Sequence, residues 1–123
     1  MMEKNMIKPH KRLDVWNKEI DLTVDTYRLS DRFPKVEIYG LTSQMRRAAV
    51  SLPSNIAEGA ARHTRKEFIN YLHMAQGSLS ELDTQLVIAN RLEYMSFETL
   101  KEIENAIETI SKMITGLIKS LKK

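Results

Sequence analysis

Four stretches of the chain repeat apolar residues at intervals of three and four, the spacing of one helix face. In the first, from about Asp14 to Phe33, Leu13, Trp16, Ile20, Val24 and Tyr27 share a face. Asp14 is placed to cap this helix, and Pro34 disfavours its continuation through the preceding residue. Val15, Leu22 and Leu29 form a second apolar set, seven residues apart, on the opposite face. A bundle helix needs only one buried stripe. The second stripe predicts a second packing partner, so Val15, Leu22 and Leu29 are the expected contact between copies of the chain.

Residues 34–40 read as a linker ending in Gly40. A second helix is predicted from Thr42, a good N-cap. Its seam is Leu41, Met45, Ala48, Leu52, Ile56 and Gly59, where the small residues permit close helix approach. Pro53 falls inside this seam. It removes the hydrogen bond to the Ala49 carbonyl and predicts a kink, with Ser51, Ser54 and Asn55 nearby either to satisfy a freed carbonyl or to face solvent.

The third helix starts at the capping box Thr64–Glu67 and carries Phe68, Leu72, Ala75, Leu79, Leu82, Leu86 and Ala89 to an end near Leu92. Ser96 caps a fourth, with Leu100, Ile103, Ile107, Ile110, Ile114, Leu117 and Leu121 in the same rhythm. The short connection between them makes these two antiparallel neighbours. Helices of about 20–28 residues are roughly 30–40 Å long. The expected fold is all-α: an up-down-up-down antiparallel four-helix bundle over residues 13–123. Residues 1–12, with Lys4, Lys8, Lys11 and Arg12 against Glu3, are expected to be a flexible basic arm.

Composition removes several chemistries. The 123 residues include no cysteine, so disulfides, thiolate metal sites and cysteine nucleophiles are excluded. The longest apolar run, Leu86–Ala89, falls far short of the ~20 residues that span a bilayer, and the first residues hold no apolar signal core. A cytoplasmic domain with no membrane partner is therefore expected. Di-iron bundles use Glu-x-x-His pairs, yet none of His10, His63 and His73 has Glu three residues before it. Phosphate-loop, dinucleotide and nucleophile-elbow motifs are absent. We expect no metal, no cofactor, no small-molecule substrate and no enzymatic activity.

Charge gives the one positive signal. The net charge is only +3, but it is unevenly distributed. Arg46, Arg47, Arg62, Arg65 and Lys66 have a single acid, Glu58, among them, whereas residues 81–108 hold seven acids against Arg91 and Lys101. On a helical wheel Arg47 and Arg62 lie opposite the apolar seam. Guanidinium forks match phosphate oxygens, so these five residues are the candidate nucleic-acid contacts. No aromatic residue interleaves them, which favours backbone contact with structured RNA or DNA over stacking on single-stranded bases. The alternative is that the same cations pair with acids of a neighbouring subunit or protein partner, making the chain an interaction scaffold.

The run YGLTSQMRRAAVSLPSNIAEG (residues 39–59), the following RKEFINYLHMAQGSLSELDTQLVIA (65–89) and the opening LDVWNKEIDLTVDTYRLSDRFP (13–34) resemble the bacterial four-helix bundle family encoded by 23S ribosomal RNA intervening sequences. The resemblance covers nearly all of residues 13–95 and is most specific over Arg46–Gly59. It implies a four-helix bundle that assembles as a homopentamer around a central channel and has no recognised catalytic residues. A similar protein, the accessory variability determinant of diversity-generating retroelements, is a basic pentameric barrel that binds nucleic acid and partners a reverse transcriptase.

Overall fold

The computed structural model describes His10 and residues 13–123. Apart from His10, the expected basic arm lies outside the described residues. Among the described residues four α-helices follow one another: α1 (Asp14–Ser30), α2 (Leu41–Ala60), α3 (Arg65–Arg91) and α4 (Phe97–Lys122). A single 3-10 turn, Lys35–Glu37, lies between α1 and α2. Each helix packs on the next, and α4 returns to α1, closing an antiparallel up-down-up-down bundle. The α2–α3 seam is the most extensive and the α1–α4 seam the slimmest.

The core follows the predicted seams of α2, α3 and α4. Met45, Leu52, Ile56, Leu72, Leu82, Leu86, Ile110 and Ile114 are the largest apolar side chains with essentially no solvent contact. Thr64 caps α3, its hydroxyl accepting the Glu67 N–H at 3.1 Å, and Ser96 caps α4 by accepting from Thr99 N–H at 3.1 Å. Such caps satisfy donors that a helix start leaves without partners. At the other end of α3, Glu93 adopts a left-handed φ of 65°. The Glu93 and Tyr94 N–H groups then bond back to Asn90 O and Ala89 O, both at 2.9 Å, which turns the chain sharply into α4.

The α1–α2 half corrects several expectations. Leu13, not Asp14, holds the N-cap position of α1, and the helix ends at Ser30, before Phe33. Phe33 leaves the helix and buries itself, its ring 5.3 Å from Tyr94. Leu13 and Trp16 pack partly buried against the core as expected, but beyond them the faces of α1 are inverted. Val15, Glu19, Leu22, Thr26 and Ser30 point into the chain's own core, and Leu29 packs partly buried against it. Val15 and Leu22 are therefore core residues, not a contact between copies, and Leu29 is half-buried beside them. Val24 and Tyr27, expected inside, are 41% and 43% exposed. Polar side chains inside and apolar ones outside defeat a reading by hydropathy alone.

Gly40, not Thr42, precedes the first turn of α2, and Thr42 is buried within the helix. The cap is supplied from outside: Glu37 Oε1 accepts the Leu41 N–H at 3.1 Å. A Cβ on Gly40 would lie 2.8 Å from that oxygen, so glycine leaves room for the carboxylate. The second oxygen, Oε2, accepts the Tyr94 hydroxyl at 2.8 Å, tying this corner to the α3–α4 turn. The Tyr94 and Leu41 hydrogen bonds lower the Glu37 pKa below the usual carboxylate value.

Helix α2 continues through Pro53. The Ala49 carbonyl that Pro53 leaves without an N–H accepts the Thr23 hydroxyl of α1 at 3.0 Å. Ser51 bonds Ala48 O, at 2.7 Å, and Ser54 faces solvent.

Candidate nucleic-acid interface

The five predicted cations separate into two groups because α2 is 20 residues, about 30 Å, long. Arg46 and Arg47 lie in its first half. Arg62 follows its end, and Arg65 and Lys66 open α3.

Arg46 is committed within the chain. Its Nε–H donates to Ser30 Oγ at 2.9 Å, and a terminal N–H donates to the Tyr27 carbonyl at 3.3 Å. The guanidinium lies 4.6 Å from the centre of the Tyr27 ring and 3.9 Å from the Asp31 carboxylate. It clips the C-terminal end of α1 onto α2, adding a second donor to the Tyr27 carbonyl, which already accepts the Asp31 N–H at 3.0 Å. No local pattern in the sequence signals this role, because it depends on how α1 crosses α2.

Arg47 is exposed and forms no ion pair among the described residues. Arg62 is exposed in the α2–α3 turn. Its guanidinium donates to the Tyr71 hydroxyl and lies 5.0 Å from the centre of that ring. The contact holds the guanidinium over one turn of α3 while leaving it open to solvent. Gly59 makes this corner close: an added Cβ would come within 2.8 Å of both Phe68 and Tyr71.

Arg65 and Lys66 are exposed in the first turn of α3, with no acid partner within 4.0 Å among the described residues. The helix dipole disfavours cations at that end. Glu67, the one acid in the turn, has its Oε1 3.1 Å from the Thr64 hydroxyl and is part of the cap. Helix stability therefore does not account for these two cations.

Other chemistry is sparse. Two hollows between α1 and α4, about 330 and 180 Å³, include no histidine and none of the five cations. Among the described residues no group of three or more histidine or carboxylate side chains could hold a metal ion. No described helix is long and apolar enough to cross a membrane. The carboxylates of Asp83 and Glu104 meet across the α3–α4 seam. Partial burial, then hydrogen bonding to Glu104, raises the Asp83 pKa.

Glu19 is a buried ionisable residue that the sequence reading missed entirely. It is shut off from solvent, and neither carboxylate oxygen has a hydrogen-bond partner among the described residues. Burial pushes its pKa up to about 8, with no opposing ion pair.

A family model described as 23S rRNA-intervening sequence protein matches residues 11–116. No curated protein matches the chain. Among solved structures, the chain is similar to a protein with unknown function from the S23 ribosomal protein family of Bacteroides thetaiotaomicron. The two are 26% identical, with a TM-score of 0.79, over 85% of this chain and 95% of that one. The sequence match spans the first three helices and most of the fourth: the chain belongs to the family of 23S rRNA-intervening sequence proteins.

Proposed function

We propose that this protein is a non-enzymatic, self-associating helical bundle of the cytoplasm that binds structured RNA through exposed cations around the α2–α3 turn. The observation that carries the reading is the group Arg62, Arg65 and Lys66. All three are exposed, none pairs with an acid among the described residues, and two stand at a helix end where cations are electrostatically unfavourable. Arg47 extends the group along α2. Arg46 holds the fold beneath it and contributes indirectly.

Self-association uses a face other than the one expected from the sequence. With Val15 and Leu22 inside, the outward apolar residues of α1 and α2 are Val24, Tyr27 and Val50, each more than 40% exposed. The Thr23–Ala49 hydrogen bond brings the positions beside Val24 and Val50 together across the α1–α2 seam. This strip is the proposed contact in a homopentamer. Light scattering of the purified protein tests the count, and a Val24→Asp/Val50→Asp variant that keeps the full assembly overturns the assignment.

The RNA reading is tested by anisotropy of a labelled structured RNA across a salt series. Counterion release predicts a log–log slope of several units, at roughly −0.9 per duplex phosphate neutralised on the B-DNA scale. A folded Arg47→Glu/Arg62→Glu variant with unchanged affinity removes these residues from the interface.

The intramolecular contacts of Arg46 and Arg62 favour a second reading, a protein scaffold in which the arginines serve structure alone. Purified protein free of salt-removable absorbance at 260 nm supports it.

A further inference from the structure

The tail of α4 reaches the same end of the bundle as the α2–α3 turn. The Gln76 side chain of α3 donates to the Thr115 hydroxyl of α4 at 3.1 Å, which fixes their antiparallel register. Counting outward from that pair, Lys119 lies level with Leu72, Lys122 with Ile69 and Lys123 with Phe68. Arg65 and Lys66 are within one further turn. Neighbouring helix axes are about 8–10 Å apart, which puts α2 and α4 about 11–14 Å apart on the diagonal, so with side chains included the three helices present these residues across roughly 20 Å.

The charge at this end is predominantly positive: Asp14, Glu58 and Glu67 are exposed there too, but the cations outnumber them. Residues 109–123 contain four lysines and no acid, and residues 68–80 contain no acid. Lys112 pairs with Glu108 at 3.4 Å, but Lys119, Lys122 and Lys123 are exposed and form no ion pair among the described residues. A helix dipole favours lysines at the end of α4. It cannot also favour Arg65 and Lys66 at the start of α3, so a shared role explains both placements where helix stability explains one.

We infer that Lys119, Lys122 and Lys123 join Arg62, Arg65 and Lys66 in one cationic pole that grips the phosphate backbones of double-stranded RNA. The inference rests on the RNA-binding reading above and names its ligand class. The choice of a duplex follows from the aromatic residues. Single-strand binders stack bases on exposed rings. The most exposed rings here, Tyr39 at 95% and Phe97 at 61%, belong to the α1–α2 connection and the start of α4, at the opposite end. The ring beside the cations, Tyr71, is already covered by Arg62. Duplex DNA presents one phosphate charge per about 1.7 Å of axis, so by that measure a footprint of about 20 Å has phosphates enough for all six cations.

The test uses the full chain and two labelled probes, an RNA duplex of about 20 base pairs and one of its strands alone. Wild-type protein is expected to bind the duplex more tightly than the strand, with a salt slope of several units. Lys119→Glu/Lys122→Glu should weaken duplex binding by about tenfold or more near 100 mM salt and reduce the slope by about two units. Lys119→Gln/Lys122→Gln, a milder change, should shift both in the same direction. Lys35→Glu/Arg91→Glu, toward the other end, should leave both unchanged. Circular dichroism confirms that each variant is folded. Equal duplex binding by wild type and both lysine variants overturns the α4 contribution and leaves the α2–α3 turn as the interface. Tighter binding to the single strand overturns the duplex assignment. No binding to either probe at low salt overturns this inference and the RNA reading together.

Discussion

Where α3 meets α4, the buried residues are mostly leucine, alanine and isoleucine, and each helix starts with its own side-chain cap. Where α1 meets α2, Thr23 reaches a carbonyl freed by Pro53, and Arg46 holds the end of α1 through Ser30 and Tyr27. Glu37, from the connection, caps α2, and Glu19 lies in the core without a partner among the described residues. Both halves bury one helix face, but the α3–α4 half does it mainly with apolar contacts, with Gln76–Thr115 a hydrogen bond at the edge, whereas the α1–α2 half adds several directional contacts to its apolar ones. Apolar packing tolerates small shifts of register. A hydrogen bond does not, so the α1–α2 half is held in one geometry and is the more sensitive to single polar substitutions.

The largest expected effect separates the halves by pH. In the unfolded chain the Glu19 carboxyl ionises near 4.5, whereas in the folded chain it keeps its proton up to about 8. Between those values the folded state binds the extra proton, so stability falls as pH rises, and the loss is complete above pH 8. A shift of this size corresponds to about 5 kcal/mol. Below pH 4.5 the penalty vanishes. Denaturant titrations from about pH 5 to about pH 9 should show this fall, and Glu19→Leu should flatten it and raise stability at about pH 8. A wild-type profile that rises over this interval would show that the carboxyl is ionised and paired.

The next effect lies at the contact between the halves. Gly59→Ala places a methyl group 2.8 Å from Phe68 Cδ1 and Tyr71 Cβ. Overpacking costs about 1–3 kcal/mol, against about 1 kcal/mol gained in helix propensity. A net loss of up to about 2 kcal/mol is expected in chemical denaturation. Because Tyr71 supports Arg62, RNA affinity should fall as well. A variant with native stability means that the α2–α3 seam can open by the few tenths of an ångström required.

A smaller effect tests the Pro53 repair directly. Thr23→Val leaves the Ala49 carbonyl without a donor and should cost about 1 kcal/mol. Pro53→Ala restores an N–H to the same carbonyl. The cost of Thr23→Val should therefore shrink in the Pro53→Ala background, and a double-mutant cycle reads that coupling. Simple additivity would assign the Thr23 hydroxyl to the Glu19 carbonyl, its other acceptor at 2.8 Å.

The same contrast decides what was legible in the sequence. The seams of α2, α3 and α4, and the caps at Thr64 and Ser96, were readable because apolar spacing and cap residues are local signals. The face of α1 was not, because Glu19, Thr26 and Ser30 sit inside while Val24 and Tyr27 face out. The cations of the α2–α3 turn were visible as a cluster. The lysines at the end of α4 were missed because more than fifty residues separate them from Lys66 along the chain. Only the antiparallel return of α4 beside α3 brings the two sets to one end of the bundle. The absence of acids after Glu108 was the available clue.

The smallest effect concerns the one strained residue of the α3–α4 half. Glu93 closes α3 with a left-handed backbone, which costs a side-chain-bearing residue about 1–2 kcal/mol relative to glycine. Glycine removes that strain but adds freedom to the unfolded chain, worth about 0.4–1 kcal/mol in the opposite direction. The Glu93 and Tyr94 N–H groups bond through the backbone to Asn90 O and Ala89 O, so the turn survives the exchange. Glu93→Gly should therefore raise stability by about 0.5–1 kcal/mol, seen as a higher denaturation midpoint with an unchanged slope. It should leave the pH profile untouched, because the gain arises far from Glu19. A loss of stability would mean that the Glu93 side chain contributes more to this corner than its backbone strain costs.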